Sequence, residues 1–223
     1  MFNIFKNKKE TMNIHLGDCS VEQVKDGVNS EAYIFIGRSG CGKGTQVELF
    51  KKILKEKRGN TILHVETGAF LREFIKGDSY VQKMTAEILK TGGLVVEPIL
   101  VALWGDYLMK NYSGKEDMVF DGAPRKLQEA LLLDSMLNFL GIKKYKVIHI
   151  NTSIKWCTDR LLARGRGDDT KEGIAKRMEW YDTEVMKSVK FFETNKNCEF
   201  INVNGEQTIE QVYSELINKV FNK

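Results

Sequence analysis

Gly37, Gly40 and Gly42 surround a turn and Lys43 follows at once, which makes this the stretch of the chain best suited to chemistry. Glycine lets a backbone take positive φ and bring successive N–H groups close to phosphate oxygens, and a helix opening at the lysine adds its positive dipole end. Lys43 then meets the β and γ phosphates of a nucleotide. The spacing fits the phosphate-loop pattern, except that Gly44 stands where a hydroxyl is expected and Thr45 comes one residue later. A second group is Asp121-Gly122-Ala123-Pro124-Arg125, where an apolar run ends in an aspartate and turns sharply. An Asp at the carboxyl end of a parallel strand lies beside the phosphate loop, where it can bind Mg²⁺ directly or through water, with Arg125 pointing into the same cleft. The third group is Arg160, Arg164 and Arg166, a phosphate-sized cluster with no acid between its members. Arg160 and Arg164 share one helix face, and Arg166 follows across Gly165.

These groups need a scaffold, and the apolar pattern supplies one. Ala32 to Ile36 reads as a strand buried on both faces of a parallel sheet. Val47, Phe50, Ile53 and Leu54 give a helix over 45–57, which Gly59 and Asn60 end. A second strand over 61–65 carries His64, read as a packed or edge residue, and leads to a helix that Thr67 caps and that contains Arg72. From there to Val96 the pattern is helical and broken by Gly77 and Gly92-Gly93, as suits a small insertion. Pro98 opens the next helix, whose face is Val101, Leu103, Trp104 and Leu108. A strand over 118–121, a helix over 126–140 and a strand over 145–150 follow. The spacing then predicts one long helix over 170–192 with Ile174, Met178, Tyr181, Val185, Val189 and Phe192 in the core, a strand over 198–202 and a helix over 208–220. Alternating strands and helices give an α/β fold, a five-stranded parallel sheet between two helical layers.

A chain of 223 residues can bury a full core, and 42% hydrophobic with 29% charged residues is ordinary for a globular protein. A net charge of +4 does not by itself argue for nucleic acid or membrane partners. Cys19, Cys41, Cys157 and Cys198 are too scattered for a zinc site or a disulfide framework, so free thiols in a reducing compartment are expected. No apolar run approaches a membrane span and no signal-peptide core opens the chain, which points to the cytoplasm. The lysine-rich residues 1–30 read as an extension without chemistry.

With these pieces in place the chain resembles the nucleoside monophosphate kinases, most closely the adenylate kinases, over about residues 31 to 221. Gly37 to Gln46 carries the family's Gly-Lys-Gly-Thr-Gln ending, which accounts for the displaced Thr45. Thr67-Gly68 with Leu71-Arg72 looks like the opening of the family's monophosphate-binding insertion, and 121–125 looks like its Asp-Gly-Phe-Pro-Arg segment. Arg160 to Arg164 is similar to its lid entry, and Arg166, Asp168, Asp169 and Arg177 keep its later spacing. The resemblance implies a core of 31–66, 98–159 and 178–223, an insertion at 67–97 and a short lid at 160–177. It implies Mg-dependent, reversible phosphoryl transfer from ATP to AMP giving two ADP, by a monomer. Lys43, Arg125, Arg164, Arg166 and Arg177 would be catalytic. ATP would lie on Gly40, Cys41, Gly42, Lys43, Gly44, Thr45, Arg160 and Arg164. AMP would lie on Thr67, Gly68, Arg72, Leu94, Val95, Gly122, Arg125, Glu129, Arg166 and Arg177, and Mg²⁺ on Thr45 and Asp121.

Three departures stand out. Ala69 replaces the family's usual Asp and Ala123 its Phe. One glycine between Arg164 and Arg166 leaves no room for a folded lid, so water exclusion falls to the 164–169 loop. Glu129 occupies the place of the Gln that reads adenine; a carboxylate only accepts, which suits the donors of guanine unless Gln128 takes over. A kinase for GMP or a pyrimidine nucleotide is therefore one alternative. An inactive nucleotide-binding module is another, disfavoured because binding alone would not need both halves of the cluster. A GTPase switch lacks the Asn-Lys-x-Asp base-reading element.

Overall fold

In the computed structural model, which describes residues 29–142, 144–167 and 169–222, five parallel strands form one sheet in the order β2-β3-β1-β4-β5. The strands are β1 (Ala32–Gly37), β2 (Ile62–Glu66), β3 (Asp117–Asp121), β4 (Tyr145–Asn151) and β5 (Cys198–Asn204). The expected extension up to residue 28, with Cys19, and the expected role of Asp168 lie outside the described residues. β1 sits at the centre, with Ile34 opposite Phe120 on one side and opposite Val147 on the other. Its residues Ala32 to Ile36 are at most 3% exposed, as a strand with both faces covered must be.

Side-chain alternation along β1 divides the core. Ile34 joins Phe120 and Val147 against Trp104, Tyr181 and Phe192. Tyr33 and Phe35 join Val119 and Ile148 against Phe50, Val212 and Leu216. Phe50 meets both aromatic rings of β1 edge-on, 4.8 Å from Tyr33 and 5.3 Å from Phe35.

The covering helices are α1 (Lys43–Arg58), α4 (Glu97–Asn111), α5 (Leu127–Phe139), α6 (Ile154–Arg164), α7 (Lys171–Trp180), α8 (Met186–Thr194) and α9 (Ile209–Phe221). Two short helices, α2 (Thr67–Phe74) and α3 (Tyr80–Lys90), stand between β2 and α4 and enclose a small core of Leu71, Val95 and Leu100. No helix among the described residues is long and apolar enough to cross a membrane.

Two expectations change. Thr67 is the first residue of α2 and does not cap it; Glu66 is the N-cap, and the Thr67 hydroxyl donates to the Asp121 carbonyl at 3.3 Å. The helix expected over 170–192 is broken into α7 and α8 by a π-helical turn, Tyr181–Val185. All six expected core residues are buried, yet Ile174 and Met178 pack on one face of the sheet and Tyr181 to Phe192 on the other. The π turn lies where the chain crosses from one core to the other, and its extra residue per turn resets the apolar stripe.

Candidate active site

Every parallel strand delivers its carboxyl end to one edge of the sheet, where ligands of open α/β folds collect. From β1 the chain enters the loop 37–42. Gly40 (φ 86°) and Gly42 (φ 90°) both lie in the left-handed region, and a Cβ on Gly40 would come within 2.7 Å of the Cys157 carbonyl. Only glycine fits there, and the result is a concave run of backbone ending at the first turn of α1, an anion site.

The loop opens on a cleft of about 1050 Å³. Gly40, Gly42, Lys43, Gly44 and Thr45 line one side; Gly68, Leu71 and Arg72 of α2 line the facing side; Arg160, Arg164 and Arg166 close the mouth, with Arg125 and Arg177 deeper in. Among the described residues, nine cationic side chains border this cleft and no carboxylate does. Such a surface is built for a ligand carrying several negative charges, and it offers no general base.

Carboxylates stand behind the cations and aim them. Lys43 Nζ lies 3.4 Å from Asp121 Oδ1 at the end of β3. Burial works against the Lys43 charge, but Asp121 outweighs it and holds the ammonium above its usual range. Asp169, with no exposed side-chain surface, accepts from Arg164 Nε and Nη2 at 2.9 Å each, from Arg177 Nη2 at 2.7 Å and from the Arg166 N–H at 3.2 Å. Burial would raise its pKa, yet these donors hold it down to about 2. Arg72 is steadied by Glu66 at 2.7 Å. Arg125 donates from Nε to the Gly122 carbonyl at 2.9 Å, and burial lowers its pKa, with Glu129 and Asp121 opposing. Arg160 stacks over Trp156, 4.7 Å from the ring centre.

Of the residues picked out from the sequence, Gly40, Gly42, Lys43, Gly44, Thr45, Gly68, Arg72, Arg125, Arg160, Arg164, Arg166 and Arg177 border the cleft together. Cys41 is buried beneath the loop, where burial pushes its thiol up. Gly122 lines a small recess behind Lys43 and Arg125. Thr67 is buried against the end of β3, and Val95 is fully buried in the core of the α2–α3 unit, with Leu94 beside it in the chain. Glu129 is also fully buried. Its Oε2 accepts the Arg125 backbone N–H at 2.8 Å, one turn ahead of its own place in α5, while Oε1 has no partner. Burial raises its pKa, against the opposing hydrogen bond from Arg125. Glu129 thus braces the turn carrying Arg125, and the expectation that its carboxylate addresses the acceptor base has no cleft contact behind it.

Thr45 borders the cleft, and Asp121 stands behind Lys43 at the end of β3, so each offers an oxygen close to the loop. Among the described residues no cluster of three or more His, Cys, Asp or Glu could hold a metal unaided. A hard cation that takes most of its ligands from phosphate and water fits two such donors, which is the habit of Mg²⁺.

Among the cleft residues not picked out from the sequence are Arg38, Lys90 and Trp180. Arg38 lies inside the glycine-loop motif itself, and that position was the available signal. Trp180 sat unremarked in a helix read as core.

Fold and cleft together define a nucleotide phosphotransferase. The family model described as adenylate kinase matches residues 35–197. Adenylate kinase 1 of Nostoc sp. is 30% identical over 82% of this chain and 95% of its own length. Adenylate kinases of Prochlorococcus marinus (strain SARG) and Porphyromonas gingivalis are 32% and 33% identical, over 82% and 80% of this chain and 94% and 90% of theirs. The chain belongs to the adenylate kinase family.

Proposed function

We propose that the cleft seats MgATP on the 37–45 loop and AMP against α2 and α3, and transfers the γ-phosphoryl group between them reversibly to give two ADP. The observation that carries this reading is the convergence, among the described residues, of nine cations and no carboxylate on one cleft. An AMP phosphate oxygen forms the new bond to the γ-phosphorus as the bond from that phosphorus to the β–γ bridging oxygen breaks. The acceptor needs no base, because its second pKa of about 6 leaves it an oxyanion at neutral pH.

Catalysis is then a matter of placing two polyanions in line and neutralising the charge between them. In this reading Lys43, Arg125, Arg164, Arg166 and Arg177 surround the transferring group, Arg72 and Arg125 hold the monophosphate, and Arg160 borders the donor base. Glu129, Leu94 and Val95 shape the acceptor side from behind. Thr45 and Asp121 would hold Mg²⁺, which when bound would offset the charge of the phosphates. Residues 67–97 act as the monophosphate-binding insertion and 160–177 as a short lid. A cytoplasmic monomer serving nucleotide biosynthesis completes the reading.

The test is ADP formation from MgATP with AMP, GMP, CMP, UMP and dTMP supplied separately, against an ATP-only control. Turnover with AMP well above the others is expected. Preference for another monophosphate would move specificity elsewhere, and no turnover with any would leave a binding module.

A further inference from the structure

Arg38 is the one cation of the phosphate loop besides Lys43, and its bonds lead away from the loop. Its Nε donates to the Thr152 carbonyl just past β4 at 3.1 Å. Its Nη2 donates to Asp182 Oδ1 at 2.6 Å, and its guanidinium lies 4.3 Å above the centre of the Tyr181 ring. Tyr181 and Asp182 open the π-helical turn, and the Tyr181 hydroxyl shares a 2.8 Å hydrogen bond with His149 Nε2. Trp180, the residue before, donates from Nε1 to the Gly92 carbonyl at 3.1 Å, and the Arg125 guanidinium lies 5.7 Å from its ring. Gly92 follows α3, so this hydrogen bond ties the α2–α3 unit to α7 across the cleft.

We propose that Arg38 is a positioning residue that fastens the phosphate loop to the acceptor wall of the cleft through Asp182, Tyr181 and Trp180. The π turn begins directly after Trp180, so a clasp on its first two residues bears on where the preceding indole points. A bond between a guanidinium and a carboxylate fixes direction as well as distance, and the tyrosine ring prevents the guanidinium from swinging away. Trp180 then faces Arg125 on one side and Gly92 on the other. The donor loop and the acceptor wall become one rigid piece, so the placement of the monophosphate depends on a residue of the ATP side. This rests on the reading of the Arg72 and Arg125 side as the acceptor side.

The experiment uses the full chain with Arg38→Met, Arg38→Lys, Asp182→Asn and the double variant Arg38→Met/Asp182→Asn, each checked for an unchanged far-UV spectrum. At saturating MgATP, Asp182→Asn is expected to raise KM for AMP by about tenfold with kcat within about threefold and KM for ATP little changed, and Arg38→Met to raise KM for AMP by at least as much. The double variant is expected to be no worse than either single one, since both break one clasp. Arg38→Lys keeps the charge but not the fork or the stack, and is expected to behave like Arg38→Met. Independently of turnover, the tryptophan emission that Trp180→Phe removes should shift to the red in Arg38→Met and Asp182→Asn. Equal losses for ATP and AMP in Asp182→Asn, additive effects, or unmoved Trp180 emission would overturn the proposal. If the wild-type chain does not use AMP, the proposed function falls, and the emission shift still decides whether Arg38 positions Trp180.

Discussion

Arg177 Nη2 donates to Asp169 Oδ1 across 2.7 Å, and neither side chain of this pair is more than 9% exposed. Through the same carboxylate Arg164 and the Arg166 amide are held, so one buried anion sets the spacing of three arginines from two separate segments. Asp169→Asn keeps the size but removes the charge that balances them. We expect kcat to fall by about 10²-fold with an intact fold, measured as ADP formation with far-UV circular dichroism as the control.

Arg125 sits deep in the cleft beneath its facing walls. Arg125→Ala should lower the transfer rate by about 10³-fold while ATP binding, followed by calorimetry, stays within a few-fold of wild type. Turnover close to wild type would remove Arg125 from the catalytic group.

Gly92 has φ 70°, and a Cβ there would lie 2.8 Å from both the Cα and the carbonyl oxygen of Gly173. Neither backbone atom can yield cheaply. Gly92→Ala should therefore push the α2–α3 unit off α7, seen as a KM for AMP raised at least about tenfold and faster proteolysis between 74 and 97. Gly59, at φ 72° with open space around it, provides the contrast: Gly59→Ala strains only its own backbone and should leave KM unchanged.

His149 is 6% exposed beneath the π turn. Burial pushes its pKa from 6.5 to about 4, with a hydrogen bond to Asn202 opposing and the charge of Arg38 adding to the fall. The folded state thus holds His149 neutral where the unfolded chain protonates it. Its contribution is full above pH 6.5 and is lost as pH falls from there to about 4, up to roughly 3 kcal/mol. Urea unfolding at pH 7.5, 6 and 5 should show this slope in the wild type and a shallower one in His149→Gln.

Phe50 is fully buried between α1 and the two aromatic residues of β1. Phe50→Ala should cost about 3–5 kcal/mol in urea unfolding, with no selective effect on either nucleotide among molecules that remain folded.

What could be read along the chain is what is local in it. The phosphate loop is one turn between a strand and a helix, so its glycines and Lys43 declare themselves by spacing. β1 announces itself as an unbroken apolar run because both its faces are covered, and Arg160 and Arg164 share a face through helical geometry alone. Even the six buried positions from Ile174 to Phe192 follow from periodicity. Their division between two cores does not, since a periodic stripe carries no record of which side of a sheet it meets. Side-chain direction at the cleft is likewise a matter of partners brought together by the strand order. Arg38 meets Asp182, 144 residues away; Thr67 turns to the Asp121 carbonyl; Trp180 reaches Gly92 across 88 residues. Glu129, four residues from Arg125, has a near partner, but it was burial on the packed face of α5 that turned its carboxylate to the Arg125 backbone. Residue type and spacing named the chemistry, and long-range packing chose which atoms face the cleft, because a side chain's direction is set by whatever the fold places against it.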